Sequence, residues 1–227
     1  MSEIRGLTDE PFAVVVRSSE IVYSGTIWDI RRDVFDYGSG DGSSEDIGGN
    51  STAPTTITRE FVDHTGSVAI LALDENDRVL LIRQYRHAIG AREWEIPAGL
   101  LDGEAESALA AAQRELAEET DLVAAEWSLL SEFYSTPGGS NEAIRIYLAR
   151  GLSASHTTYE RTAEESDIEI EFVPLDEVVS AVLRRTIGNS ILSIAVLAAV
   201  ACRASGWAEL GPADSPWPKH PKLSQRV

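Results

Sequence analysis

The stretch Arg114-Glu115-Leu116-Ala117-Glu118-Glu119 places three carboxylates among strong helix formers. In a helix, residues three and four positions apart share a face, so Glu115, Glu118 and Glu119 project together. Like charges at this spacing destabilise a bare helix by roughly 0.2–0.5 kcal/mol per pair, which indicates that the face needs a counter-charge. Mg²⁺ typically binds one or two carboxylates together with substrate phosphates. The stretch therefore favours a hydrolase of phosphate esters or pyrophosphates.

The residues around this helix complete a recognisable motif. The segment Glu95-Ile96-Pro97-Ala98-Gly99 precedes the helix, and seven residues separate Glu106 from Arg114. Together with the run from Arg114 to Leu122, these residues resemble the Nudix box, which is the loop–helix–loop signature of Nudix hydrolases. The resemblance covers residues 99–122.

Two positions depart from the family pattern. Six residues separate Gly99 from Glu106, where the family has five, and Asp121 stands where the second glycine is usual. Asp tolerates a left-handed backbone better than most other residues, so Asp121 can still end the helix. Neither departure removes a carboxylate.

The resemblance implies a metal site on the helix. In the family, the residues matching Glu115 and Glu119 bind Mg²⁺ directly, and the backbone carbonyl at Ala98 supplies a further oxygen. Glu118 would complete a second metal or its water shell, and Mn²⁺ is an alternative to Mg²⁺. The competing interpretation of these residues is a solvated acidic helix face.

Arg114 and Glu106 have two interpretations each. Arg114 is able to pair with Glu118 at the i+4 spacing, which is worth a few tenths of a kcal/mol, on the order of 0.3. In the family, this Arg orients the catalytic Glu beside it, here Glu115, and we favour that role because a bidentate guanidinium fixes carboxylate geometry. Glu106 either complements the helix dipole or, as in the family, forms a salt bridge with the Arg.

An acidic segment that contains Glu164 and Glu165 lies some forty residues after the motif. Nudix enzymes that act on ADP-ribose carry a Glu on a mobile loop in this region, which positions or deprotonates the attacking water. The resemblance assigns that role to Glu165 or Glu164, with Glu165 favoured slightly, and the alternative is an acidic surface loop. Pro137, fifteen residues after Leu122, resembles a mark of the ADP-ribose pyrophosphatase subfamily, although a plain Pro-Gly turn also explains it.

Several residues outside the motif are candidates for substrate contacts. Arg59, Arg83 and Arg86 are candidates for phosphate or ribose binding, with a solvated surface charge as the alternative for each. Glu142, just after the Pro137 loop, is a further candidate. Trp28 and Trp94 are able to stack on adenine, although aromatic residues in strand-like segments more often belong to the core.

Composition narrows the class of protein. The chain of 227 residues has a formal net charge of −18, which argues against binding to nucleic acid or to an anionic membrane. The single Cys202 excludes an internal disulfide and fits a reducing compartment. The first ten residues lack the features of a signal peptide, and no apolar run is long enough to span a bilayer. We therefore expect a cytoplasmic protein.

The apolar periodicity predicts the order of the elements. Strands are expected at 12–17, 20–25, 26–31, 67–73, 78–85, 127–134, 143–149 and 168–173, and helices at 104–119, 175–185 and 188–203. The turn signal Asp74-Glu75-Asn76-Asp77 makes a hairpin of the strands on either side. This order fits an α+β fold with a mixed sheet, and the resemblance implies a Nudix-type α/β/α sandwich.

Local composition suggests three parts. Residues 37–56 are dominated by Gly, Ser, Asp and Thr, which predicts a flexible loop. We therefore expect a small N-terminal β unit with its loop at 1–56, the Nudix domain at 57–206, and an irregular tail at 207–227. Since a segment of about 25 residues cannot hold a core of its own, the N-terminal strands must pack against other protein surface.

The resemblance as a whole implies Mg²⁺-dependent hydrolysis of ADP-ribose to AMP and ribose 5-phosphate. It also implies a homodimer in which the N-terminal unit is exchanged and lines the partner's adenine site. Two alternatives stay open at this point. One is hydrolysis of another nucleotide-sugar, such as GDP-mannose, or of a dinucleoside polyphosphate, and the other is a non-catalytic sensor of such a ligand.

Overall fold

The computed structural model describes residues 7–38, 54–103, 106–157, 159, 161 and 167–223. The chain divides into two compact units. Unit one comprises residues 1–64 and 138–140, and unit two comprises residues 65–137 and 141–227. The division predicted between residues 56 and 57 differs from this. It falls inside a strand, Thr55–Asp63, whose whole length pairs with the strand before it.

Unit one contains an antiparallel sheet of three strands in chain order: β1 (Val15–Ser24), β2 (Asp29–Tyr37) and β3 (Thr55–Asp63). The three short strands predicted over residues 12–31 are therefore wrong in number. Register shifts after Val16 and Ile21 let β1 continue across the predicted break, and β2 begins only at Asp29.

Charged pairs, rather than buried apolar residues, link the strands of this sheet. Arg32 pairs with Glu60 at 2.6 Å and Arg31 with Asp63 at 2.7 Å. Every residue of β1 is exposed. Large apolar side chains of unit one are also exposed, among them Phe12, Val15, Tyr23, Ile27 and Tyr37. The Arg32–Glu60 pair is exposed, and exposed ion pairs contribute only about 0–1 kcal/mol each.

Unit two is built on two sheets. The larger sheet has the order β11-β8-β9-β4-β7, and its strands are β4 (Ser67–Ala72), β7 (Ala98–Leu100), β8 (Leu122–Tyr134), β9 (Ala143–Ala154) and β11 (Gly211–Pro212). Strands β4 and β9 are parallel and the other pairs antiparallel, so the sheet is mixed, as predicted. The smaller sheet has the order β10-β5-β6, with strands β5 (Arg78–Arg86), β6 (Ala91–Glu95) and β10 (Glu169–Pro174).

The described residues contain three α-helices: α1 (Ala108–Thr120), α2 (Leu175–Leu183) and α3 (Ser190–Ala204). Helices α1 and α3 pack on the larger sheet, whereas α2 packs on α3 and on the smaller sheet. Alternate residues of β4 face opposite layers of helix. Ala69 and Leu71 belong to a core with α2 and α3, whereas Val68 and Ile70 belong to a core with α1. Because all four are fully buried, the strand reads as a continuous apolar run. The predicted α/β/α sandwich is therefore confirmed.

The turn after β4 is present, but the hairpin predicted from it is not. Asp74 Oδ1 accepts hydrogen bonds from the amides of Asn76 and Arg78, at 2.9 and 2.8 Å. Only Leu73 and Val79 form a bridge beyond this turn. The two strands then separate, because β4 pairs with β7 and β9 while β5 pairs with β6 and β10.

The segment predicted as an irregular tail packs on the larger sheet. Strand β11 pairs with β8, and Trp217 and His220 are buried. The guanidinium of Arg145, on β9, lies 4.5 Å from the centre of the Trp217 ring and donates to the carbonyl of Ser215 at 2.8 Å. Residues 207–223 therefore belong to the structure of unit two. In the described part of the chain, no helix has the length and apolar character needed to cross a membrane.

The packing of His220 generates a prediction at Gly66. A Cβ at Gly66 would lie 2.1 Å from His220 Nε2, and the backbone there has φ +88°. Gly90 also has positive φ, +63°, but no atom lies within 4 Å of its Cβ position. The free energy of unfolding of Gly90→Ala should fall by only roughly 1–2 kcal/mol, which is the cost of the left-handed backbone at alanine. The free energy of unfolding of Gly66→Ala should fall by about 1–3 kcal/mol more than that, because His220 is enclosed and has to move.

Urea denaturation gives the free energy of unfolding of both variants. Equal losses at the two glycines would contradict the packing of His220 against Gly66.

Candidate active site

Arg114 is the centre of the polar network on α1. Its Nε and Nη2 donate to the two carboxylate oxygens of Glu106, each at 3.0 Å. Its Nη1 donates to Glu115 at 2.7 Å and to Glu118 at 3.0 Å. The two pairings weighed from the sequence, with Glu118 and with the neighbouring Glu115, therefore coexist. Hydrogen bonding to Glu106, followed by the charge of Glu115, raises the pKa of Arg114 above its already high value, so the guanidinium stays charged.

Glu106 lies outside the helix. Helix α1 begins at Ala108, four residues later than predicted, because Ser107 is the N-cap and its Oγ accepts a hydrogen bond from the Ala110 amide at 3.1 Å. Glu106 therefore reaches Arg114 from the preceding loop, and the salt bridge implied by the family resemblance is present.

Glu119 is enclosed between α1 and β7. Glu119 is only 5% exposed, and its Oε2 accepts a hydrogen bond from the Ala98 amide at 3.1 Å. A buried carboxylate is stable only when it is hydrogen-bonded or paired. The backbone of β7 therefore fixes the orientation of Glu119, with Ala98 as the point of contact.

Gly99 leaves the space that Glu115 occupies. A Cβ at Gly99 would lie 2.0 Å from the carboxyl carbon of Glu115, a distance that no side chain tolerates. The absence of a side chain at Gly99 therefore lets Glu115 lie against β7 beside Glu119. The apolar face of α1, which includes the fully buried Ala112 and Leu116, holds the helix at this distance from the sheet.

These residues fit a hard divalent cation. Nudix hydrolases generally use such ions, and Mg²⁺ takes one or two carboxylates rather than a full protein cage. Glu115 and Glu119 supply two carboxylates, and the Ala98 backbone adjoins them. Among the described residues, no three His, Cys, Asp or Glu side chains form a group arranged for a metal ion. The candidate ligands are Glu115, Glu118 and Glu119 with the backbone of Ala98 beside them, and Arg114 contacts the first two of these carboxylates.

Asp121 ends α1 in the left-handed conformation expected from the sequence, with φ 57° and ψ 28°. Its carboxylate binds Arg161, which also donates from Nε to the carbonyl of Glu118 at 3.1 Å. The sequence analysis missed Arg161. No local signal identifies it, because forty positions separate it from Asp121.

The substrate candidates on β5 have partners within the small sheet. Arg86 forms a bidentate pair with the buried Glu95, at 2.8 and 2.6 Å. Arg83 pairs with Glu169, and its guanidinium carbon lies 4.9 Å from the centre of a Trp94 ring. Glu95 belongs to the segment before the helix, but its contact with Arg86 was not expected from the sequence, since only the β5–β6 pairing brings the two residues together.

Glu142 lies between two serines. Its Oε1 accepts a hydrogen bond from Ser67 Oγ at 3.1 Å, and its Oε2 accepts one from Ser135 Oγ. The backbone amide of Ser135 also donates to the carbonyl of Glu142 at 3.3 Å. These contacts close the loop that contains Pro137 and orient the Glu142 carboxylate.

Two candidates belong to unit one. Trp28 stacks on His64 with ring centres 4.0 Å apart and planes inclined by 22°, so it is partly covered by an aromatic partner. Arg59 is exposed on β3 and donates to the carbonyl of Thr58 at 2.9 Å. Glu164 and Glu165 lie outside the described residues.

Comparison with known proteins agrees with this geometry. A family model described as the NUDIX domain matches residues 63–191. The ADP-ribose pyrophosphatase of Mycobacterium tuberculosis is 39% identical over 204 residues, which cover 90% of this chain and 91% of that protein. The ADP-ribose pyrophosphatase of Bacillus subtilis is 31% identical over 138 residues, which cover 61% of this chain and 74% of that protein.

A crystal structure of an ADP compounds hydrolase has a similar fold, with a TM-score of 0.67 over 88% of this chain and 99% of that chain at 17% identity. The NUDIX match covers more than half of the chain and includes every residue of the Arg114 network. The chain therefore belongs to the Nudix hydrolase family.

Proposed function

We propose that this chain is a Mg²⁺-dependent ADP-ribose pyrophosphatase that yields AMP and ribose 5-phosphate, with Mn²⁺ as an alternative ion. The observation that carries the proposal is the placement of Glu115 and Glu119 against Ala98 and Gly99, with Arg114 behind them. Two relatives named ADP-ribose pyrophosphatase, one of them similar over nine-tenths of the chain, support this substrate.

The reaction adds water to one phosphorus of the diphosphate and breaks the bond from that phosphorus to the bridging oxygen. Glu115 and Glu119 would hold a divalent cation, which when bound would supply charge neutralisation at the diphosphate and a water of lowered pKa. Arg114 keeps the Glu115 carboxylate in one orientation, and the Ala98 amide does the same for Glu119. The pre-set orientation of these groups removes the need for reorganisation during the reaction.

Residues outside the motif complete the proposed site. Glu165 or Glu164 positions or deprotonates the attacking water, a type of assistance worth about 10²–10⁴-fold. Arg86, oriented by Glu95, and Glu142, oriented by Ser67, contact the substrate from unit two.

Arg59 and Trp28 contact the substrate from unit one of the partner subunit in the proposed homodimer. The exposed apolar side chains of β1 support an exchanged arrangement, because the three strands bury little apolar surface among themselves. The single Cys202 supports a reducing, cytoplasmic compartment.

The substrate is tested with a panel of ADP-ribose, GDP-mannose, a dinucleoside polyphosphate and NAD, each with and without Mg²⁺ and with the products identified. We expect the highest kcat/KM for ADP-ribose, with AMP and ribose 5-phosphate as products, and activity only with the metal. Glu119→Gln serves as the low-activity reference. It should lower turnover by at least about 10²-fold, since it removes a metal ligand.

If the protein preferred GDP-mannose or the dinucleoside polyphosphate, the proposed substrate would be wrong and the proposed chemistry would stand. Tight binding of ADP-ribose without turnover would identify a sensor, although a pure binder has no need of a repelling carboxylate cluster.

Gly99→Ala tests the space in which Glu115 lies. Its Cβ would meet the Glu115 carboxylate at 2.0 Å, so the carboxylate must leave β7. We expect activity and metal affinity to fall by about 10–100-fold, as for the loss of a supporting contact in a metal site. Isothermal titration with Mn²⁺ measures the affinity directly. Gly138→Ala, where no atom lies within 4 Å, is the control, and equal affinities in the two variants would refute the assignment of Glu115.

The oligomeric state is tested by light scattering on the full chain. We expect a dimer, with twice the 24.6 kDa mass of one chain, at micromolar concentration. Removal of residues 1–64 should give a monomer with weaker ADP-ribose binding, because unit one would supply both the interface and part of the partner's site. A full-length chain that scatters as a monomer would rule out the exchanged dimer.

A further inference from the structure

A cavity of about 460 Å³ lies in unit two, between the beginning of α1, strand β9 and the segment that follows β11. Ligand pockets typically have volumes of roughly 300–1,000 Å³ and apolar walls with a few polar groups. The apolar walls of this cavity include Ala108, Leu109, Pro216, Trp217 and Leu223. The size and the walls are therefore those of a small-molecule site.

The cavity is separate from the candidate metal ligands. Glu115, Glu118 and Glu119 do not line it. Glu106 does, but both of its carboxylate oxygens already accept hydrogen bonds from Arg114. A molecule in the cavity would therefore lie beside the Arg114 network and not among the carboxylates proposed to hold the cation.

Polar contacts hold the wall that the C-terminal segment forms. Arg145 on β9 donates to the carbonyls of Ser215 and Pro216, at 2.8 and 3.1 Å. The Tyr134 hydroxyl donates to the carbonyl of Lys219 at 2.6 Å. Three prolines between positions 212 and 218 restrict the same backbone further. Because this wall is already ordered, a ligand does not have to order it on binding.

A buried hydroxyl at the cavity lacks a partner. Tyr147, on β9, lines the cavity and is fully buried. Among the described residues, no group forms a hydrogen bond of ordinary geometry with its hydroxyl. The neighbouring Arg145 donates instead to Glu132, at 2.8 Å from Nε, and to the two carbonyls of the C-terminal segment. Since burial of an unpaired hydroxyl costs free energy, packing alone does not explain a tyrosine here.

The Tyr147 hydroxyl is a donor. Burial raises the pKa of Tyr147, and the opposing effect of the Arg145 guanidinium is smaller, so the hydroxyl keeps its proton. The amides of Ala108 and Leu109 are further donors at the cavity, because the first turn of α1 leaves them without a helix carbonyl to bind. A ligand that satisfies these groups needs an acceptor atom.

The charged groups at the cavity narrow the class of ligand. Glu106 and Asp214 both line it, and their negative charges disfavour an anion. The indole of Trp217 offers an aromatic surface, which suits a flat ring. The walls therefore favour a neutral ring compound that carries an acceptor.

We propose that this cavity is a binding site for a neutral, mainly apolar molecule of one or two rings, whose carbonyl oxygen or ring nitrogen accepts a hydrogen bond from the Tyr147 hydroxyl. The apolar body of the ligand contacts Leu109, Trp217 and Leu223. The site goes beyond the proposed hydrolysis of a diphosphate and does not depend on it, since a diphosphate is an anion.

The test uses two probe compounds, 1-indanone and indane, which share their fused rings and differ in the ketone oxygen. NMR titration of the full chain gives the dissociation constant of each compound and identifies the amides whose shifts change. We expect saturable binding of both compounds, with 1-indanone bound more tightly. The shift changes should concentrate in residues 106–109, 145–147 and 213–223.

Tyr147→Phe removes only the hydroxyl. We expect the affinity for 1-indanone to fall about fivefold, which corresponds to a hydrogen bond of about 1 kcal/mol, and the affinity for indane to stay the same. The melting temperature without ligand should be unchanged or higher, because the variant removes a buried group that has no partner. A hydroxyl with a purely structural role would instead lower the melting temperature and would affect both compounds alike.

Tyr85→Phe is the matched control. The Tyr85 hydroxyl lies 3.1 Å from His87 Nδ1 at an exposed position, and Tyr85 does not line the cavity. Both compounds should bind this variant as they bind the wild-type protein. Ala213→Leu tests the location independently of Tyr147. It should weaken the binding of both compounds, because the larger side chain occupies part of the cavity.

Three results would overturn the proposal. Equal affinities of wild type and Tyr147→Phe for 1-indanone would remove the hydrogen bond, and tighter binding of the anion indane-1-carboxylate would refute the neutral class. Lack of saturable binding of both ring compounds would refute the site. None of these results bears on ADP-ribose hydrolysis, so failure of the site and failure of the proposed function are distinguishable.

Discussion

A single guanidinium allows this chain to concentrate negative charge on one helix. Arg114 is shared by Glu106, Glu115 and Glu118, and it neutralises part of a face that repulsion would otherwise destabilise. The arrangement is directional as well as neutralising, because a planar fork holds carboxylates at fixed angles.

The helix keeps this geometry because its opposite face is anchored. Small residues, Ala111 and Ala112, let α1 approach the sheet closely, and Leu116 fills the remaining space. The close approach brings the carboxylates within reach of the β7 backbone. There the Ala98 amide donates to Glu119, and Gly99 leaves space for Glu115. Packing on one face of α1 therefore determines the chemistry on the other.

The sequence predicted what depends on neighbours along the chain. Periodicity identified the buried strands β4 and β9, and the chemistry of Asp predicted the left-handed end of α1. Features that depend on distant pairing were not accessible. The separation of β4 from β5 follows from partners far along the chain, and Arg161 meets Asp121 only because β9 returns to the end of α1. The site shows the same division, since the motif includes Glu95 but gives no sign that this carboxylate pairs with Arg86.

The packing of His220 on Gly66 has a consequence for the order of folding during synthesis. Gly66 immediately precedes β4, the first strand of unit two along the chain, whereas His220 and Trp217 come after every other element of unit two. Contacts between such distant positions form late, because they close a long loop. A ribosome that has already translated the whole Nudix motif still holds a chain whose larger sheet lacks β11 and whose α1 core lacks Trp217. Completion of the catalytic unit therefore waits for residues that carry none of its chemistry.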